Sequence, residues 1–469
     1  MKHFFRRGVT VALLLVTLGA GCTKGPSQAT IDASKRIDMN VWSVVDDIDV
    51  YAPVMAAYRS AHPNIQINYR RLRLEEYEAA LLNALAEDRG PDVFLIPHNA
   101  VGKYLPKIVP MPATTKMAYS VLTGTIKKEQ TWELRSDPTI TLKSYKEQFA
   151  DAAIKDTIRR VNVSTKPDVV DFQERLLAMP VSIDTMALYY NKDLLNAAGI
   201  PTPPETWTEF QEQVKKLVKL DAKGAISQAA AGIGTANNVE RGVDLATVLM
   251  VQNGTQMFDP SAGVTFTLIP PDLVGREIPP AQQALEFYSD FANSSKETYT
   301  WNADMQNSME AFIKGQSAFF FGYAYQQDLI RARAPRLNLG LSSLPQIEGN
   351  PVKNMANYWV WVVSKKSKNT DAAWNFLNFL AKPEESKKVL DIMKRPAARK
   401  ALLVDQLNDE RVGVFASQVL TAITWYTGND VDVMEDALSK MIEDIAAGRA
   451  PISTALRDAA DKINQTITF

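Results

Sequence analysis

One cysteine and three histidines are spread over 469 residues. A single thiol cannot build a disulfide scaffold, nor a cysteine-based zinc cluster. Catalytic motifs are scarce as well. There is no His-Glu-x-x-His pair and no Gly-x-Ser-x-Gly elbow. Gly232-Ile233-Gly234 lacks the third glycine of a dinucleotide loop, and Asp46-Asp47-Ile48-Asp49 lacks the glycine and closing glutamate of a calcium loop. No metal and no other cofactor is therefore expected. Charge of one sign is missing too: 52 Lys+Arg stand against 53 Asp+Glu, a formal net charge of −1. Such a chain offers no global attraction for phosphate backbones, so nucleic acid is not an expected partner. What is present is a globular balance, 46% hydrophobic and 22% charged, which excludes disorder of the whole chain. At about 100–200 residues per domain the length suggests several compact units.

The cysteine has an informative address. Lys2, Arg6 and Arg7 precede the apolar run 9–18, then come Gly19, Ala20, Gly21 and Cys22. A run that short cannot span a bilayer, and its charged and small-residue flanks predict a secretory signal peptide over residues 1–21. Leu18-Gly19-Ala20-Gly21-Cys22 resembles the lipobox of bacterial lipoproteins, with its leucine one place further from the cysteine than usual. That resemblance implies lipid attachment at Cys22 and a membrane-anchored protein on the extracytoplasmic face; the alternative is a secreted protein with an incidental cysteine. Residues 22–35, small and polar, read as the tether. Without the signal the formal charge becomes −4.

Periodicity beyond the tether alternates strand and helix. Residues 38–43 read as a strand, and Tyr51, Val54, Met55 and Tyr58 share a helical face. Ile65, Ile67 and Tyr69 alternate as a half-buried strand does. Tyr77, Leu81 and Leu85 mark a second helix, and Val93-Phe94-Leu95-Ile96 a strand buried on both faces. This order predicts βαβ crossovers and parallel-rich sheets flanked by helices, an α/β fold. Residues 114–173, with Lys127, Lys128, Arg135, Lys143, Lys146, Arg159 and Arg160, break the rhythm and read as a largely helical, solvated insertion. Thr206 with Glu209 fits a capping box, Ala318-Phe319-Phe320-Phe321 a buried strand, and residues 433–447 an amphipathic helix ended by Gly448.

Met179-Pro180-Val181-Ser182, then Ala187-Leu188-Tyr189-Tyr190-Asn191-Lys192-Asp193-Leu194-Leu195, Ala198-Gly199-Ile200-Pro201 and Pro204-Glu205-Thr206-Trp207 form a series of specific phrases. They resemble the central signature of the family 1 extracellular solute-binding proteins, the sugar-binding, maltodextrin-binding-like subunits of ABC importers. Gly90-Pro91-Asp92-Val93, Phe312-Ile313-Lys314-Gly315-Gln316-Ser317-Ala318 and Ser364-Lys365-Lys366-Ser367-Lys368-Asn369 resemble further family segments, in family order. The resemblance implies the type II periplasmic-binding-protein-like fold: two lobes, a hinge, and a ligand in the cleft between them. It implies lobe 1 from residues 36–110 and 339–382, a hinge at 176–187, and lobe 2 from 188–338 and 384–469. A monomer that captures a carbohydrate and delivers it to ABC permease subunits, without enzymatic activity, is the expectation. The alternatives are a secreted glycoside hydrolase, or a surface lipoprotein of the same fold in an adhesive or structural role.

A sugar site needs aromatic faces for C–H surfaces and polar groups for hydroxyls. At expected strand ends and loops the sequence offers Trp42, Asp47, His98, Asn99, Trp301, Tyr323, Tyr325, Tyr358, Trp425 and Tyr426. Trp207, Trp374, Trp359 and Trp361 read as core, and Asp92 as a backbone tie near a strand start. For His98 a surface or backbone-bonded role is the leading reading.

Overall fold

A computed structural model describes residues 27–467 apart from 126, 165 and 167. The signal peptide and Cys22 lie outside the described residues. So do the first residues of the expected tether; its remainder is not extended, because Gln28–Ser34 is helical, started by Ser27 Oγ accepting the Thr30 N–H at 3.2 Å.

The first sheet runs in the order Ile65–Arg71, Ile37–Ser43, Val93–Pro97, Trp359–Val363, Met179–Pro180. Ile37–Ser43 is parallel to both of its neighbours, and Trp359–Val363 is antiparallel to both of its own. The helices between the parallel strands, Ile48–Ala61 and Leu74–Ala86, bury Tyr51, Val54 and Tyr58, and Tyr77, Leu81 and Leu85 against it. These are the faces the 3.6-residue spacing marks. Asp92, just before the central strand, ties the sheet: its carboxylate accepts the Asn40 N–H at 2.9 Å and the Ser367 hydroxyl at 2.5 Å.

The second sheet has the order Lys219–Leu220, Ile226–Ala231, Ser317–Gly322, Ala187–Asn191, Leu339–Ser343. Its central strand Ser317–Gly322 is buried throughout. Trp207, Phe210 and Val214 from the helix Trp207–Leu217 pack into the second core, and Met434, Leu438 and Met441 from Val431–Ala446 join them. Trp207 Nε1 donates to Gln252 Oε1 at 2.6 Å, so this indole is core, as is Trp374 in the first lobe. Gly448 follows the last turn of Val431–Ala446 at φ +64°, the left-handed conformation that glycine adopts without strain.

Two expected boundaries move. Leu339–Ser343 pairs with Ala187–Asn191 and so belongs to the second sheet, not to lobe 1; a five-residue run gives no sign of which sheet it will join. The helices Pro383–Met393 and Lys400–Gln406 belong to the first lobe, because Val389, Leu390, Leu402 and Leu403 pack in its core. The second lobe resumes near Trp425.

The insertion also differs from its expected helical character. Thr114–Thr123 and Glu129–Pro138 form one hairpin, Ile158–Asn162 and Phe172–Leu176 another, with the short helices Leu142–Gln148 and Asp151–Thr157 between them. Charge density was a poor guide here, since a two-stranded hairpin exposes one face and can carry charges there. The segment is not detached: Met117, Tyr145, Phe149 and Ile158 sit in the first core. Asn375 on the helix Thr370–Leu380 donates to Thr115 and Asp137 at 3.0 and 3.1 Å.

Three described crossings join the lobes, and together they make a small sheet. Asp184–Thr185 leads from Met179–Pro180 to Ala187–Asn191, Asn354–Asn357 leads from Leu339–Ser343 to Trp359–Val363, and Ala422–Ile423 leads to Trp425. Asn354–Asn357 lies in the middle, antiparallel to the first crossing and parallel to the third. No helix among the described residues is long and apolar enough to cross a membrane.

Candidate functional site

A cavity of ≈ 530 Å³ opens between the lobes. Parallel strands that end at the same side of a sheet deliver their following loops to one place, the usual location of a ligand crevice. Here Val44–Asp46 follow one strand of the first sheet and His98–Ala100 another, and both reach the cavity. The opposite wall comes from Arg241–Asp244 at the start of the helix Gly242–Gln252, from Tyr325 just after Ser317–Gly322, and from Trp425, Tyr426 and the head of Val431–Ala446.

Aromatic rings dominate both walls. Tyr51 meets Trp361 edge-on at 5.4 Å, and Tyr77 meets Trp359 edge-on at 6.5 Å. His98 and Tyr358 stack at 4.6 Å with planes 10° apart. Across the cleft, Tyr325 stacks on Tyr323 at 6.1 Å and is 43% exposed, while Trp425 packs edge-on against Tyr426 at 5.7 Å. Rings held by other rings present fixed faces to a ligand and lose little side-chain entropy when it binds.

Charged groups stand among the rings in pairs. Arg395 grips Asp46 with two nitrogens, at 2.9 and 3.1 Å, and its Nε is buried with no partner among the described residues. Arg241, at φ +54°, bonds Asp244 at 2.8 Å and lies 3.6 Å from Glu435; these carboxylates hold its guanidinium well above its ordinary pKa. Lys103 reaches Glu78 in its own lobe at 2.5 Å and Asp432 of the other lobe at 3.6 Å. Asn99 Oδ1 is buried with no donor among the described residues, so with Arg395 Nε it leaves one acceptor and one donor unused there. Asp184, in the first crossing, is buried; burial pushes its carboxyl up to about 6 despite N–H groups of Ala324, Tyr325 and Thr185 that bond it.

Of the residues singled out from the sequence, His98, Asn99, Tyr325, Tyr358, Trp425 and Tyr426 line the cavity. Trp42, Asp47, Trp301 and Tyr323 do not. Trp42 packs against the first core with the Arg70 guanidinium 4.9 Å from its ring, and Asp47 starts the helix Ile48–Ala61 while pairing with Arg71 at 2.5 Å. Trp301 is fully buried and donates to Asn238 Oδ1 at 3.2 Å, which explains the polar context that suggested a binding role. Tyr323 stands one layer behind the wall, its hydroxyl donating to Asp244 at 2.7 Å. His98 is bound through Nδ1 to the Asp156 carboxylate at 2.8 Å, not to backbone by its side chain.

Trp359, read as core, is half-buried and lines the cavity; Trp361 touches the cavity as well but, at 3% exposed, belongs to the first core as the sequence suggested. Arg241, Asp244 and Arg395 also line the cavity and were not singled out. Trp359 and Trp361 lie on one face of their strand, and alternation shows that they share a face without telling which space it meets. Arg241 and Asp244 did leave a signal: opposite charges three apart at the head of the otherwise apolar Gly242–Gln252.

Two α/β lobes, a hinge of three crossings and an aromatic cleft define a two-lobe binding protein. The model of the bacterial extracellular solute-binding protein family matches residues 47–387, and the chain belongs to that family. A binding protein of Brucella abortus (strain 2308) is 23% identical over 322 residues, covering 65% of this chain and 70% of its own. The maltooligosaccharide ABC transporter solute-binding lipoprotein of Streptococcus pneumoniae (strain R6) is 22% identical over 315 residues, covering 65% and 69%. The cyclic α-maltosyl-1,6-maltose binding protein of Arthrobacter globiformis shares the fold, with a TM-score of 0.66 at 16% identity over 92% of this chain and 99% of that one.

Proposed function

We propose that this protein captures a neutral oligosaccharide of the malto-oligosaccharide class between its lobes and passes it to an ABC import permease, without altering it chemically. The observation that carries the reading is the pairing of stacked aromatic faces with buried hydrogen-bonding groups on both walls of one cleft. A sugar's C–H faces and hydroxyls require that combination. The names of the pneumococcal and Arthrobacter proteins support the ligand class. In the same reading the protein is a monomer, held to the extracytoplasmic face of the membrane by a lipid on Cys22.

A thermal-melting screen tests this. Linear malto-oligosaccharides, including maltotetraose, and cyclic ones should raise the melting temperature, because a ligand at 100 times its Kd adds about 2.7 kcal/mol to stability. Amino acids and polyamines should leave it unchanged. Stabilisation only by a non-carbohydrate, or shortened oligosaccharide products after incubation, would overturn the reading.

A further inference from the structure

The helix Asp151–Thr157 of the inserted segment sits behind the cleft floor, and Asp156 on it is 1% exposed. Its Oδ2 accepts from His98 Nδ1 at 2.8 Å and from the Tyr358 hydroxyl at 2.6 Å. Its Oδ1 accepts from the Thr424 hydroxyl at 2.7 Å. Asp156 is not part of the cavity lining, whereas His98, Tyr358 and Thr424 are. They come from three places far apart in sequence: the loop after Val93–Pro97, the entry to Trp359–Val363, and the third crossing between the lobes. One buried carboxylate therefore gathers three wall residues. Lys155 on the same helix donates to the Thr424 carbonyl at 2.7 Å, which puts a cation beside the buried anion.

The chemistry of the pair fixes more than position. An ionised carboxylate only accepts, so a neutral His98 ring bonded to it must carry its proton on Nδ1. Nε2 is then a lone-pair acceptor on a residue that lines the cavity, with no hydrogen bond among the described residues. A ligand hydroxyl can donate to it.

We propose that Asp156 is a positioning residue of the cleft: it sets the His98 tautomer so that Nε2 accepts from the ligand, and it holds the His98–Tyr358 stack in place. The segment 114–173 thereby completes the first-lobe wall from behind. The inference rests on the carbohydrate reading above for the identity of the ligand, and its first test needs no ligand at all.

That test is nitrogen-15 NMR of histidine-labelled protein without sugar, with the His98 signals assigned by comparison with His98→Gln. The expected spectrum is that of a neutral ring protonated at Nδ1 alone; a ring protonated at Nε2 in the wild type, either alone or together with Nδ1, would overturn the proposal, whether or not any sugar binds. In Asp156→Leu nothing on the side chain accepts from Nδ1, so the ring should lose its preference for the Nδ1-protonated form. Calorimetric affinity for maltotetraose should fall roughly tenfold, the loss that one misdirected hydrogen bond produces. An unchanged tautomer, or unchanged affinity in a folded variant, counts against Asp156 as a positioning residue. Should the variant fail to fold, the wild-type tautomer still decides.

Discussion

Asp184 sits in the first crossing between the lobes with both carboxylate oxygens turned to backbone N–H groups. Burial raises its pKa from 3.8 to about 6, against the opposing pull of those N–H groups and of the Arg395 charge. The native protein thus holds this proton more tightly than the unfolded chain does. The sign follows: the contribution favouring the fold is fully present below about pH 4 and is lost as the pH rises through about 6. A shift of that size corresponds to about 3 kcal/mol. Urea unfolding of the wild type and of Asp184→Asn between pH 4 and pH 7.5 checks it. Wild-type stability relative to the variant should decline by about that amount across the range, and a flat difference would refute the assignment. At this same scale the sequence was only partly legible. Tyr358, Trp425 and Tyr426 were found because aromatic residues near strand or loop ends are visible in a string of letters. Asp156 and Arg395 were not, because their roles depend on partners as far away as Tyr358 and Asp46.

Among the elements, the short strand Asn354–Asn357 carries the hinge. Asn354 reaches beyond its own sheet: its Oδ1 accepts the Met186 N–H at 3.2 Å, and its Nδ2 donates to the Met186 carbonyl at 2.8 Å and to Gln418 Oε1 at 2.6 Å. Asn354→Ala would leave buried Met186 groups with fewer partners, at about 1–3 kcal/mol for each group left unsatisfied. Chemical denaturation should show a loss of about 2–4 kcal/mol; a loss under about 0.5 kcal/mol, the range of an ordinary surface change, would mean that the side chain does not tie the crossings together. The elements with strong periodicity, such as Ile48–Ala61 and Leu74–Ala86, could be read in advance because their buried faces repeat every 3.6 residues. The hairpin Thr114–Thr123 with Glu129–Pro138 could not, because its stability comes from the pairing and from its contact with Thr370–Leu380, neither of which local charge reveals. Leu339–Ser343 was misplaced for the same reason: sheet membership is a long-range fact.

At the scale of the molecule, the cleft works only as a joint product of two lobes that the chain builds from interleaved segments. Trp359 from the first lobe and Tyr325 from the second each show part of a ring to the cavity. A ligand that touches both gains contacts available only when the lobes are close, so its binding shifts the hinge equilibrium toward closure. A ligand held by one lobe alone would not. The direct measurement is the calorimetric dissociation constant for maltotetraose of the wild type, Trp359→Ala and Tyr325→Ala, two substitutions at partly exposed side chains, with folding of each variant checked by its melting temperature. One site with a micromolar constant, about −8 kcal/mol, is expected in the wild type, and at least tenfold weaker binding in each variant. No detectable binding by the wild type, or wild-type affinity in either variant, would contradict this reading.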